Sequence, residues 1–221
     1  MKTFISTHDK ATMNKQRKIL AVIGLLLPLT TLLGFIGGDR NAYDFWYSIS
    51  AQYYATNRDC MVGGLAIFSF FLFAYLGYDI GDRLTCCFSG AMSAGILIFP
   101  CKTSAAGPTT GIFNLPTPLS HTIHCIVAAL LFASFAYMIG CRFTRHDPAL
   151  VLTAGKQKRN NIYHVCAIII MIGMTSQFIT SILNISWFTI INETVMLFAF
   201  SFAWGVKSHL FDNLFKRWLH D

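Results

Sequence analysis

Charged side chains are scarce in this chain of 221 residues. Asp, Glu, Lys and Arg together make up 12% of it and hydrophobic residues 54%, whereas soluble domains are about 25% charged. Apolar stretches take up nearly the whole length and leave no segment long enough for a separate soluble core. The composition therefore excludes an ordinary soluble protein and predicts a single membrane domain.

Several common motifs are missing as well. The seven cysteines form no CxxC redox motif and have no zinc-finger spacing. The HExxH motif of zinc proteases is absent, and no internal repeat of the kind found in many secondary transporters is present. Cys60 and Cys101 fall near the same predicted membrane face, and whether they pair as a disulfide is left open.

Six apolar segments are present, each of roughly 17 to 22 residues, which is about the length of a helix that crosses a bilayer. We therefore predict an all-α, integral membrane bundle of six transmembrane helices in residues 19–206, between an N-terminal segment (1–18) and a C-terminal tail (207–221). The predicted helices are Ile19 to Gly37, Cys60 to Tyr78, Leu84 to Pro100, Ser120 to Gly140, Ile162 to Leu183 and Trp187 to Val206.

The distribution of positive charge predicts the orientation of this bundle. Fourteen of the 17 Lys and Arg residues lie in the termini and in the loops on one side, and three lie on the other side. Because loops rich in Lys and Arg stay in the cytoplasm, both termini are expected to be cytoplasmic. The formal net charge of +7 is thus explained by topology, and we expect the lipid bilayer as the partner and no nucleic acid. The three exceptions are Arg40, Arg58 and Lys102.

Polar residues gather in the predicted outer half. Ser50 lies in the first outer loop, and Asp59 stands at the outer end of the second helix. His121 and His124 open the fourth helix, where a spacing of three places them on one face. Glu193 is the one carboxylate inside an apolar segment, and an ionisable residue at that depth is by default a functional candidate.

These residues are a candidate metal site. Two histidines with carboxylates can hold a zinc ion that acidifies a bound water, and the expected ligands are His121, His124, Asp59 and Glu193. In that hypothesis Asp59 or Glu193 also transfers protons, and Ser50 orients the water or the substrate. The alternative is that both histidines lie at the membrane interface, cap carbonyls or pair with a carboxylate, and bind no metal.

The motif from Tyr47 to Tyr54 (YSISAQYY), the Arg58-Asp59 pair and the run from Tyr75 to Asp79 (YLGYD) together resemble an uncharacterised family of six-helix bacterial membrane proteins. That resemblance implies a bacterial inner-membrane location and no particular activity. More distantly, a serine, an aspartate and histidines near one face are similar to the membrane hydrolases that include alkaline ceramidases and adiponectin-receptor-like proteins. That superfamily has seven helices and holds zinc with three histidines, so a third ligand here would be Asp59, Asp44 or Glu193.

Two functions remain open beside a purely structural or assembly role. The first is a membrane-embedded, metal-dependent amide or ester hydrolase that acts on a lipid or amphipathic substrate from the outer leaflet. The second is a proton-coupled transporter or small-ligand-binding membrane protein in which Glu193 takes up the proton.

Overall fold

The computed structural model describes residues 7–36, 48–146, 151–185 and 187–212, with the side chains of the first helix described for residues 9–30. Six α-helices account for most of these residues: α1 (Thr7–Ile36), α2 (Arg58–Phe73), α3 (Ile80–Ile98), α4 (Thr117–Tyr137), α5 (Ala154–Ile182) and α6 (Phe188–Lys207). A 3-10 helix (Ser50–Tyr54) precedes α2, and a π-helical turn (Met138–Arg142) continues α4. Strands β1 (Thr109–Thr110) and β2 (Leu115–Pro116) pair antiparallel between α3 and α4.

The prediction of an all-α protein is confirmed, although several helix boundaries differ from the apolar segments. Helix α5 begins at Ala154, eight residues before its predicted start at Ile162, because the Thr153 side chain caps it by accepting from the Lys156 backbone N–H. Helix α2 ends at Phe73, before the predicted end at Tyr78. Asp79 then caps α3 by accepting from the Asp82 backbone N–H at 2.9 Å. Hydropathy marks only the apolar part of a helix, whereas caps fix its ends.

Among the described residues, three helical stretches are long and apolar enough to cross a membrane: Thr117–Arg142, Ala154–Ile182 and Phe188–Lys207. They support a membrane protein.

The six helices form a closed ring. Each helix packs against its neighbours in sequence, and α6 also packs against α1, so that the last helix completes the ring. Helices α1 and α6 approach closely at Gly24, where an added Cβ would lie 2.6 Å from Ser201 Oγ and 3.2 Å from Phe200 Cδ1.

Aromatic side chains fill the middle of the ring. Phe68 from α2 and Phe135 from α4 contact Phe200 from α6, with ring centroids 5.4 and 4.1 Å from the Phe200 ring. Trp204, one turn further along α6, lies 5.5 Å from Phe200 and 5.2 Å from Tyr75. All five are at most 2% exposed. We call this group the aromatic column.

Hydroxyl pairs join neighbouring helices around the column. Ser69 on α2 donates to Ser93 on α3 at 2.8 Å, and Ser89 on α3 pairs with Ser134 on α4 at 2.7 Å. Such contacts suit a bilayer, where apolar side chains gain little by leaving lipid.

The charged groups of the described chain lie at two opposite ends of the bundle. One end, which we call the loop end, contains the 3-10 helix, the hairpin β1–β2 and the starts of α4 and α6. The other, which we call the basic end, contains Arg17, the turn between α2 and α3, and the region where α4 and α6 finish.

Cys60 and Cys101 are not paired in this structure. Both have free thiols; Cys60 is exposed and Cys101 is buried. Burial raises the pKa of the Cys101 thiol to about 12, which makes it a poor nucleophile for disulfide formation.

Closure of the ring can be tested at two helix glycines. We expect Gly24→Leu to lower the free energy of unfolding by about 1–3 kcal/mol or more, because the added side chain overpacks the contact between α1 and α6. Gly63→Leu is the matched control, since a Cβ at Gly63 meets nothing within 4 Å. Thermal unfolding of both variants in detergent measures the difference. Equal losses of stability in the two variants would contradict the close approach at Gly24.

Candidate functional site at the loop end

Glu193 lies in the second turn of α6 and reaches the loop that precedes α2. Its Oε2 accepts a hydrogen bond of 2.6 Å from the backbone N–H of Ile49, and the backbone N–H of Ser50 also hydrogen-bonds the carboxylate. Within the described chain, no lysine, arginine or histidine pairs with Glu193. The carboxylate therefore interacts with the first amides of the 3-10 helix and has no counter-ion among these residues.

Two further helices hold the same 3-10 helix through Gln52. The Gln52 side chain is fully buried, and its Oε1 accepts from Thr30 Oγ1 on α1 at 2.9 Å and from Asn57 Nδ2 at 2.7 Å. Asn57 also donates to the Thr30 carbonyl at 2.6 Å. We call Thr30, Gln52, Asn57 and Glu193 the loop clamp, because they tie the 3-10 helix to α1, to the start of α2 and to α6.

The clamp leaves two buried polar atoms, Gln52 Nε2 and Asn57 Oδ1, without partners in the part of the chain that the structure describes. Such atoms are rare in native structures, because an unmade hydrogen bond costs about 1–3 kcal/mol. One is a donor and the other an acceptor, so a small polar molecule could satisfy either.

The histidines of α4 contact the segment that follows α3, which Ser120 also holds through the Pro100 carbonyl at 2.9 Å. The buried His124 ring places Nδ1 2.8 Å from the Phe99 carbonyl oxygen. Because a carbonyl oxygen only accepts, Nδ1 carries the proton and Nε2 keeps its lone pair in the neutral ring.

His121 has the opposite tautomer. Its Nδ1 accepts from the Lys102 backbone N–H at 3.2 Å, so the proton of the neutral ring is on Nε2. Nε2 lies 3.7 Å from the Cys125 sulfur. The lone pair of His121 is thus already used, and of the two histidines only His124 offers a free lone pair to a ligand.

A second polar contact joins the two loops beside Glu193. Tyr54 donates to the Cys101 carbonyl at 3.0 Å and shares a hydrogen bond of 2.8 Å with Thr110. The Cys101 thiol hydrogen-bonds Ser48 and lies within electrostatic range of Glu193. Burial raises the pKa of the Tyr54 phenol, so it stays a neutral hydrogen-bonding group.

The residues predicted from sequence are only partly brought together. Glu193 and the Ser50 backbone meet, and the two histidines lie on the neighbouring loop. Asp59 is exposed and makes no side-chain hydrogen bond or ion pair within the described chain, and Asp44 lies outside the described residues. No group of three His, Cys, Asp or Glu side chains that could hold a metal occurs in this part of the chain. The zinc site with His121, His124, Asp59 and Glu193 as ligands remains a prediction.

Sequence reasoning missed Thr30, Gln52 and Asn57. Gln52 is an amide within the otherwise aromatic and hydroxyl-rich run YSISAQYY, and that contrast was a usable signal. Thr30 follows Pro28 in an apolar helix and carried no comparable signal.

Comparison with known proteins adds no assignment: no protein-family model, no curated protein and no solved structure matches this chain. The site must therefore be interpreted from its own chemistry.

The loop clamp can be tested at Asn57. We expect Asn57→Ala to lower the free energy of unfolding by about 1–3 kcal/mol, because it removes two buried hydrogen bonds and strips Gln52 Oε1 of a donor. Thr56→Ala, at an exposed neighbouring position, should have little effect. Thermal unfolding measures the stability of both variants. An Asn57→Ala variant as stable as the wild type would show that the clamp does not hold the loop.

Proposed function

We propose that this is a small-ligand-binding, proton-linked protein of the cell membrane, with six spans and both termini in the cytoplasm. The loop end then faces outward, and the ligand is a small organic cation such as an amine. The charge distribution along the chain supports the orientation. The proposal belongs to the second of the two functional classes that the sequence left open.

One observation carries this proposal: Glu193 is a half-buried carboxylate whose contacts are backbone amides and not a cation. A charge inside an apolar helix is costly unless it is paired or neutralised. A proton and a small cation are the two species that can neutralise it, and they exclude each other at one carboxylate. Competition at Glu193 would therefore couple ligand binding to pH.

The hydrogen bonds from the Ile49 and Ser50 amides to Glu193 also link protonation of this carboxylate to the position of the loop. Hydrogen bonds from an amide to an ionised carboxylate are roughly twice as strong as those to a neutral acceptor. Protonation of Glu193 would thus weaken the hold of α6 on Ile49 and Ser50 and loosen the 3-10 helix. Gln52 Nε2 and Asn57 Oδ1, which have no partners, supply further polar contacts for a ligand. The packed aromatic column beneath the site favours binding at this end over passage through the bundle.

The metal-dependent hydrolase predicted from sequence is a second candidate, and one observation favours it. His124 donates through Nδ1 to a backbone carbonyl, which is the arrangement that usually orients a metal-binding imidazole. In this candidate His124 Nε2 would be a zinc ligand and the substrate a lipid amide or ester.

The proposed function can be tested by ligand-induced stabilisation of the purified protein. Ethanolamine, choline and putrescine are the probes. We expect at least one to raise the melting temperature at mildly alkaline pH and to do so less at mildly acidic pH, because the proton competes for Glu193. Glu193→Gln keeps the shape without the charge, so it should fold and lose the response.

Asp59→Asn is the matched control, because it removes an exposed carboxylate that has no partner within the described chain. It should respond as the wild type does. Glu193→Leu should unfold more readily than Glu193→Gln, since it leaves the Ile49 and Ser50 amides unsatisfied. The proposal is wrong if no probe stabilises the wild type, or if Glu193→Gln responds equally.

Metal analysis separates the second candidate from the first. The hydrolase requires about one zinc per chain, lost in His124→Ala and largely retained in His121→Ala, whose lone pair is already used. If Glu193 binds a cation as proposed, we expect the purified protein to contain no stoichiometric zinc. Stoichiometric zinc in the wild type that is lost in His124→Ala would favour the hydrolase over the cation-binding proposal.

A further inference from the structure

The basic end contains a buried arginine whose hydrogen bonds are incomplete. Arg17 on α1 is 4% exposed. Its Nε donates to the Tyr75 hydroxyl at 2.9 Å and its Nη1 to the Tyr78 hydroxyl at 3.2 Å. Its Nη2 is buried and has no partner among the described residues. Arginine carries its charge at any physiological pH, so this side chain retains an unused donor and an unpaired charge.

Two lysines lie beside it and share one acceptor. Lys156 and Lys207 place Nζ 2.9 and 3.1 Å from the same oxygen, the Phe143 carbonyl. The two nitrogens are therefore no further apart than the sum of those distances. Lys207 is also within electrostatic range of Arg17. We call Arg17, Lys156 and Lys207 the basic cluster.

Aromatic rings connect the members of the cluster. The Arg17 Cζ lies 4.7 Å from the centroid of the Tyr78 ring, and Lys207 Nζ lies 5.7 Å from the same centroid. Lys207 and Lys156 lie 5.6 and 5.8 Å from the Tyr163 ring. Ring faces attract cations, but they do not neutralise three positive charges.

The nearby carboxylates belong to other arginines. Arg142 Nε and Arg145 Nη2 contact Asp82 Oδ1 at 2.7 and 2.9 Å, and both guanidinium groups also contact Asp79. The hydrogen bond from Arg145 is the main reason that the pKa of Asp79 is below its ordinary value. Within the described chain, no acidic side chain pairs with a member of the basic cluster.

We propose that the basic cluster binds a phosphate-type oxyanion, either the headgroup of an anionic phospholipid or free phosphate. Such an anion supplies the charge that three cations lack and several acceptor oxygens for Arg17 Nη2 and the two ammonium groups. The Tyr78 hydroxyl, which accepts from Arg17, still has its own proton to donate. Tyr78 is 44% exposed, and Lys156 and Lys207 are partly exposed, so the cluster lies beside the surface. This site is separate from Glu193 and does not depend on the function proposed for the loop end.

The test uses the full-length protein in a neutral detergent. Short-chain phosphatidylglycerol and inorganic phosphate are the two anionic probes, and short-chain phosphatidylcholine and chloride at matched ionic strength are their controls. We expect an anionic probe that binds the cluster to raise the melting temperature of the protein much more than its own control does. A response to phosphatidylglycerol alone assigns a lipid headgroup, and a response to inorganic phosphate assigns a free oxyanion.

Lys207→Met and Lys156→Met remove one charge each while keeping most of the apolar stem. Each should weaken the apparent affinity at least about tenfold, and Lys207→Arg should restore most of it. Lys18→Met is the matched control, because it removes an exposed charge one residue from Arg17 and should bind as the wild type does. If Lys207→Met does not fold, Lys156→Met decides the comparison. The proposal fails if neither anionic probe exceeds its control, or if Lys18→Met loses as much affinity as the cluster variant that folds.

Discussion

The packing of aromatic rings at the centre of the helix ring is the constraint on which the rest of the structure depends. Phe200 and Trp204 on α6 contact rings from α2, α4 and the segments at the basic end, so one helix holds the others in register. A centre filled with fully buried aromatic groups leaves little space for polar side chains. The charged groups of the described chain consequently lie at the two ends of the bundle.

The two ends of the bundle carry unpaired charges of opposite sign. At the loop end a carboxylate, Glu193, has amide donors but no cation among the described residues. At the basic end three cations share carbonyl, hydroxyl and ring partners and form no ion pair with an acidic side chain in the described part of the chain. An unpaired charge within the membrane has a high free-energy cost, so membrane proteins usually keep one only where it binds or transports a ligand or an ion. Each end therefore has a chemical reason to take a ligand of the opposite sign, although the ends share no residue.

Local hydrogen bonds explain why the loop end has its shape. The short 3-10 helix has too few internal hydrogen bonds to be stable alone, and the hydrogen bonds of Gln52 and Glu193 hold it in place. The histidines of α4 serve the next loop instead. Their ring nitrogens contact backbone at Phe99 and Lys102, and His124 caps the Phe99 carbonyl.

The sequence alone determined the helical class and the membrane character and singled out Glu193 as a candidate, because hydropathy and an isolated charge can be recognised without neighbours. It also placed Ser50 and Glu193 at the same end. Only the tertiary structure decided that Glu193 meets the amides of Ile49 and Ser50 and not the imidazole of His124. Helical spacing puts His121 and His124 on one face, but the tautomer of each ring depends on which backbone group lies opposite it. Likewise, Lys156, Lys207 and Arg17 are far apart in the chain, and only the closure of α1 and α5 against α6 brings their charges together.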